Sequence, residues 1–309
     1  MNNKALNIVY TVLALFVLIT IAYFIASPSP SGAEAAPPPS ISEPDVPLRY
    51  LAVLIGAIGM GVVYYFTRES EAWELGMQKV IYGVVGAAVY AVAIWVFSGK
   101  LFKVPAVSDV GLRPGVVFPV LFGYLFGPLA GFMTGGFGNI VGDALSGFRV
   151  SPEWDMGNAI IGFVAGMHFL FANKKRSLDV ASSLAVAIGV LAAIGYATNP
   201  TVLNQFGEGA VSPWLGYSVL AGVALCLAIR FGFPDKDWGE IVVWGALGNL
   251  VGLGLASIAD IWINAGKLTP VEAVIGQFIP AAGPNLIAVA VLMPILIVSY
   301  GAVQQQEAT

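Results

Sequence analysis

Apolar runs of membrane-crossing length recur along this chain, and they limit its fold more than any other feature. A bilayer's hydrocarbon core takes about 20 apolar residues as an α-helix, and the runs at 6–26, 48–66, 80–98, 180–197, 241–263 and 273–298 approach or exceed that length. None alternates apolar with polar residues, as a membrane-spanning β-strand does. Charged residues make up only 10% of the 309 residues, against about 25% in soluble domains. The expected fold class is an all-α integral membrane protein: a helix bundle crossing the cell (plasma) membrane several times and touching membrane lipid.

The first run follows Lys4 and gives way at 27–47 to a Pro-, Ser- and Ala-rich stretch whose charges are all acidic, the composition of an extended linker without a core. That run is longer than the apolar segment of a cleaved signal peptide, so a retained N-terminal helix is expected. Further helices are expected at 48–66, 80–98, 114–127, 128–145, 156–171, 180–197, 214–229, 241–263 and 273–298. Pro114 and Pro128 suit first helical turns, and Pro280, Pro284 and Pro294 should bend the last helix.

The net charge of −4 and the scattered basic residues give no footprint for nucleic acid. A single cysteine, Cys226, excludes an intrachain disulfide and a cysteine-based metal site. The single histidine, His168, has no second His or Cys nearby to share a metal. No GxxxxGK[ST], HExxH or GxSxG occurs, so neither an enzymatic activity nor a cofactor is expected. Any ATP-driven step then requires an ATPase on another chain.

Lys and Arg in alternate loops set the orientation. With the N-terminus inside, the inner set holds Lys4, Arg68, Lys79, Lys174, Lys175, Arg176, Arg230 and Lys236, and the outer set Arg49, Lys100, Lys103, Arg113, Arg149 and Lys267. The larger inner set places both chain ends in the cytoplasm. Most outer cations fall in the loops 99–113, 146–157 and 264–270. They read either as side chains reaching lipid phosphates or as loops over one outward pocket whose ligand carries carboxylate or phosphate.

Glycine and polar residues concentrate at 113–158. After Pro128, Gly131, Gly135, Asn139 and Asp143 recur every four residues and so share one helix face, smooth toward the inside and polar toward the outside. Small residues let membrane helices approach closely, and an ionisable residue among them is a functional candidate. Asp143 reads equally as a helix-end carboxylate or a partner of Arg149. The loop SPEWDMGN supplies Trp154, Asp155 and Asn158: a ring for stacking, a carboxylate and an amide. The plainer readings are an N-cap for Asp155 and an interfacial belt position for Trp154. Later in the chain come Asn249, Asp260, Trp262, Asn264, Gln277 and Asn285. Each alone reads as a packing hydrogen bond, but Asp260, Asn264 and Gln277 fall on the same outer side as Asp143 and Asp155.

FGYLFGPLAGFMTGGFGNIVGDALSG, followed by WDMGNAIIGFVAGM, resembles the substrate-binding S components of energy-coupling factor (ECF) transporters, with their GPxxG and G(D/N)xxGD patterns. The preceding YGVVGAAVYAV is similar to their first helix, and GALGNLVGLGLASIADIW with GQFIPAAGPNLIAVAVLMPILIVSY to their fifth and sixth. The resemblance covers about 79–172 and 240–300. It implies a six-helix core plus about four extra helices. The regions would be an N-terminal transmembrane helix or signal anchor at 1–26, an extracytoplasmic linker at 27–47, an extra transmembrane helix and cytoplasmic turn at 48–77, an S-component-like domain at 78–300, and a tail at 301–309. The pair at about 178–237 is taken as an insertion into that domain; the reverse assignment, with the last pair added, stays open.

The resemblance further implies high-affinity binding and uptake of a vitamin or related small molecule. The pocket would draw on Arg113, Asn139, Asp143, Trp154, Asp155, Asn158, Asp260, Trp262 and Gln277, beneath a gate at 99–112. Gly83, Ala87 and Ala91 would meet a transmembrane coupling subunit, and two cytoplasmic ATPases would drive toppling and release. An ion-coupled secondary transporter using Asp143 and Asp260, and a membrane scaffold or assembly protein, are the alternative functions.

Overall fold

In the computed structural model, residues 46–74, 76–97, 114–147, 151–207, 209–263 and 268–307 are described. The expected N-terminal helix at 6–26, nearly all of the linker, the gate at 99–112, and Arg113, Arg149, Asn264 and Lys267 lie outside them. The helices are α1 (Val46–Thr67), α2 (Met77–Trp95), α3 (Val117–Phe126), α4 (Pro128–Ser146), α5 (Pro152–Ala165), α6 (Lys174–Thr198), α7 (Ser218–Gly232), α8 (Trp238–Ile263) and α9 (Ile279–Glu307). Each answers to an expected helix. Among the described residues no strand forms; a single antiparallel bridge joins Leu203 to Ala210.

Two starts differ from expectation. α5 begins at Pro152 rather than at 156, because proline at N1 and the acidic Glu153 and Asp155 favour the positive end of a helix dipole. Asp155 is therefore inside the first turn and not an N-cap; Ser151 holds that position. α6 begins at Lys174 because the side chain of Asn173 accepts from the Arg176 amide, which draws the basic triplet into the helix. The last helix is preceded by a π-helical turn, Ala273–Phe278, and continues through Pro284 and Pro294.

Five helices among the described residues are long and apolar enough to cross a membrane: the spans Leu48–Thr67, Met77–Trp95, Lys174–Thr198, Trp238–Ile263 and Pro270–Gln306. Large apolar side chains stay exposed on the outward faces, among them Leu54, Ile58, Val84, Val92, Leu191 and Ile295, which suits contact with lipid rather than water. The glycine-rich α4 and the short α5 lie inside. α4 packs chiefly on α2 and α5, and α5 chiefly on α4 and α8. α1 leans on α5 and α8, while α6 and α7 pack mainly on α8 and α9.

The α4–α5 contact is made by backbone. A Cβ added at Gly131 would sit 2.1 Å from the Gly162 carbonyl oxygen, and one at Gly162 would sit 2.1 Å from that of Gly131. Neither distance is tolerable, so the two chains touch where only hydrogen can stand between them. Where lipid removes most hydrophobic drive between helices, such close van der Waals contact is what holds them. α4 is aimed into this contact by Gly127, whose φ of 98° turns the chain out of α3 and hands it to Pro128 at N1.

Gly131→Ala and Gly162→Ala are each expected to cost ~3 kcal/mol or more through overpacking. Gly195→Ala, whose added Cβ meets nothing within 4 Å, should be neutral or slightly stabilising. Thermal unfolding of the three variants in one detergent checks this; equal midpoints would rule out the backbone contact.

Candidate binding site

The face that makes this contact also begins the polar site. Moving along the antiparallel pair, Gly131 meets Gly162, and Gly135 lies against the Asn158 carbonyl. One turn further, Asn139 Nδ2 donates to Asp155 Oδ1 at 2.7 Å and to Asp143 Oδ2 at 3.0 Å. Close packing thus continues directly into a buried hydrogen-bond network, with Asn139 at 1% exposure and Asp155 at 0%.

The first turn of α5 distributes its side chains to different helices. Glu153 pairs with Arg49 at the start of α1, and both are buried. Trp154 Nε1 lies 3.4 Å from Asp260 Oδ2 in the last turn of α8, and Gln277, on the π-helical turn, also hydrogen-bonds Asp260. Phe206, between α6 and α7, stands edge-on to Trp154 with ring centroids 6.0 Å apart. That loop is tied to the π-helical turn by the Gln205 amide, which donates to the Gly276 carbonyl at 2.9 Å. One end of the bundle therefore gathers α1, α4, α5, α8 and the π-helical turn around Asp143, Glu153, Asp155 and Asp260.

Asn139, Asp143, Trp154, Asp155, Asp260 and Gln277 come together as candidates from the sequence. Asn158 borders them, but its amide is occupied: Tyr90 OH on α2 donates to its Oδ1 at 2.8 Å, and its Nδ2 donates to the Trp154 carbonyl at 2.9 Å. Trp262 acts as a tie, donating from Nε1 to the Leu48 carbonyl at 3.3 Å and holding the start of α1 to the end of α8. Arg113 lies outside the described residues. Asn249 and Asn285 pair with each other at 3.1 Å, Asn249 standing eleven residues before Asp260 along α8, about 16 Å at the rise of an α-helix. Of the row assigned to a coupling subunit, Gly83 and Ala91 are buried and Ala87 is half-buried, with Gly83 beside Met133 of α4.

Sequence reasoning missed Arg49, Glu153 and Tyr90 as site residues. Arg49 had a signal: it is the one charged residue within the apolar run 48–66, where a guanidinium either reaches lipid phosphate or pairs with a carboxylate. Glu153 stands two residues from Asp155 and was legible only as part of the same loop.

The network leaves several buried atoms without a hydrogen-bond partner: Arg49 Nε, Asn139 Oδ1, Glu153 Oε2, Ser257 Oγ and Gln277 Oε1. Such groups are costly unless something else satisfies them. Among the described residues, no group of three or more His, Cys, Asp or Glu is arranged to hold a metal ion. The opposite end of the bundle carries Arg68, Lys79, Lys174, Lys175, Arg176, Arg230 and Lys236 at helix ends and turns. There His168 stacks on Tyr124 at 4.3 Å and bonds its carbonyl at 2.8 Å, while the Tyr124 hydroxyl donates to Glu240 at 3.1 Å.

A polytopic helix bundle with a buried polar cluster at one end defines an all-α membrane protein with a candidate binding site. Over residues 74–224, just under half its length, the chain matches the family model described as "ECF-type riboflavin transporter, S component", and it carries this ECF S-component segment. It is a substrate-specific transporter subunit and a multi-pass protein of the plasma membrane. It is similar to a UPF0397 protein of Aliivibrio salmonicida, 27% identical over 71% of this chain and 87% of the relative. A UPF0397 protein of Vibrio atlanticus is 26% identical over 69% and 85%, and one of Streptococcus thermophilus is 29% identical over 45% and 80%. No solved structure matches the chain. The family match runs from just before α2 into α7, so Arg49, Asp260 and Gln277 join the cluster from outside it.

Arg49→Met should destabilise the protein by ~3–5 kcal/mol, because it leaves Glu153 buried without its cation. Combining it with Glu153→Leu should recover most of the loss. Unfolding midpoints of wild type, both single variants and the double variant form the cycle that measures the pair; additive losses would show that the two side chains do not interact.

Proposed function

We propose that this subunit captures a vitamin or related small molecule at the carboxylate-bearing end of its bundle and delivers it inward with a transmembrane coupling subunit and two cytoplasmic ATPases. The observation that carries this reading is the buried cluster itself. In an S component, atoms such as Asn139 Oδ1 and Gln277 Oε1, buried and without partners, are what a bound solute would satisfy. Asn139, Asp143, Asp155, Asp260 and Gln277 are its proposed contacts, Trp154 their neighbour, and Asn158 and Trp262 brace the elements that hold them. The riboflavin of the matched family's description is the reference compound for binding.

The positive-inside bias puts the cluster on the outer side and the Lys174–Arg176 triplet in the cytoplasm. The coupling subunit is proposed to meet α2 at Ala87, the half-buried member of its row, and along the exposed Val84, Ala88 and Val92. The proposed core is α2–α5 with α8 and α9. α6 and α7, which pack mainly on that last pair, are the added helices, although the family match extends through α6 and into α7.

Uptake should require ATP hydrolysis by the partner subunits. In cells expressing the assembled transporter, changing the P-loop lysine of the ATPases should abolish accumulation of solute while the purified subunit still binds it. Uptake that survives this change but collapses with a protonophore would instead establish the ion-coupled alternative.

A further inference from the structure

Between α6 and α7 the chain folds back on itself at the same end of the bundle as the polar cluster. The Val211 amide donates to the Val202 carbonyl and the Asn204 amide to that of Gly209, each at 2.9 Å, with Leu203 and Ala210 paired between them. Gly209, at a φ of 80°, takes the left-handed conformation that the reversal needs. The Tyr196 hydroxyl near the end of α6 donates to the Val211 carbonyl at 3.2 Å, and the Phe206 amide donates to Asn204 Oδ1 at 3.1 Å. Residues 202–207 and 209–211 thus form a small, internally bonded hairpin that carries Phe206 in its turn.

The hairpin rests on two elements that carry partners of Asp260. Phe206 meets the Trp154 ring edge-on, and Trp154 Nε1 reaches Asp260. The Gln205 amide donates to the carbonyl of Gly276, the chain neighbour of Gln277, which also hydrogen-bonds Asp260. Pro280 prepares that carbonyl: lacking an N–H, it cannot bring Gly276 the donor that an α-helix supplies from four residues on. Gly276 also permits the close approach, since a Cβ there would stand 2.5 Å from the Leu203 carbonyl oxygen.

The parts of this end differ in how firmly they are held. α4 and α5 meet through backbone at Gly131 and Gly162, a contact that cannot open without unpacking the bundle. The hairpin meets the site through a hydrogen bond and a ring edge, and Phe206 is itself 37% exposed; contacts of both kinds break and re-form at small net cost. Gln277 is only 9% exposed and its Oε1 has no partner, so a solute reaches that oxygen when something beside it moves.

We propose that the α6–α7 hairpin is a movable cover of the binding site and that Phe206 is the positioning residue that shuts it against Trp154. Lifting the hairpin admits a solute to Gln277 and Asp260, and reseating it on Trp154 and Gly276 holds the solute there. The cover rests on the solute-binding role given above and assigns it a closing element.

The rate at which a small, positively charged methanethiosulfonate modifies Gln277→Cys tests the cover in the full-length protein in lipid nanodiscs. Wild type, whose one thiol at Cys226 is 1% exposed, gives the background. With Phe206 in place the reaction is expected to be slow. Phe206→Ala should speed it by about fivefold, the scale of losing one aromatic pair. Phe206→Tyr, which keeps the ring, should leave it slow, and Gly276→Ala, which pushes Leu203 off the π-helical turn, should speed it at least as much as Phe206→Ala. Equal rates with Phe206 and with Phe206→Ala overturn the cover, as does a fast rate in Phe206→Tyr. If Phe206→Ala does not fold, an unchanged rate in Gly276→Ala overturns it instead. The labelling needs no solute, so it stands apart from the solute-binding role: a protein that labels as expected but binds no riboflavin keeps its cover and loses that reference compound.

Discussion

The contact between Gly131 and Gly162 is the constraint on which the rest depends. Two helices that touch through backbone put the side chains one and two turns away at hydrogen-bonding distance, and this is how Asn139 reaches Asp155. A longer side chain at either glycine would spread α4 from α5 and open that bond first. Short amides and carboxylates can reach one another because the helices that carry them are held at minimum separation. Close packing and the buried polar network are successive turns of one helix face.

Burying carboxylates in a bundle creates a problem that the surrounding elements partly solve. Glu153 is matched by Arg49, Asp155 and Asp143 by Asn139, and Asp260 by Trp154 and Gln277. Several of these partners belong to elements outside the matched family segment. α1 is secured to α8 through Trp262 and to α5 through Arg49, so it is fastened into the site and is no detached anchor. The loop between α6 and α7 is likewise built in, its Gln205 amide bonded to the π-helical turn and its Phe206 against Trp154.

The two ends of the bundle have opposite chemistry. One is rich in buried carboxyl groups, and the other carries basic side chains at helix ends and turns together with the Tyr124–His168–Glu240 group. The apolar belt between the ends keeps its large side chains outward, so lipid rather than water solvates the middle.

The sequence by itself determined the helical class, the number and approximate bounds of the helices at 48–298, and the family, because apolar run length and the four-residue spacing of glycine are local patterns. It also brought out Asn139, Asp143, Asp155 and Asp260, since ionisable and amide groups within apolar runs stand out without any coordinates. Only the tertiary structure decided who pairs with whom. Arg49 and Glu153 are far apart in the chain, and nothing local tells a buried guanidinium from one reaching lipid phosphate. The start of α5 moved because a proline at N1 and two acids outweighed the apolar pattern after them. The row Gly83, Ala87 and Ala91 looked like a surface for a partner, yet the fold sets Gly83 and Ala91 inside, because the glycine-rich α4 lets α2 come close enough to use them. Spacing shows that a helix has a small-residue face; which neighbour that face meets is settled by the packing of the whole bundle.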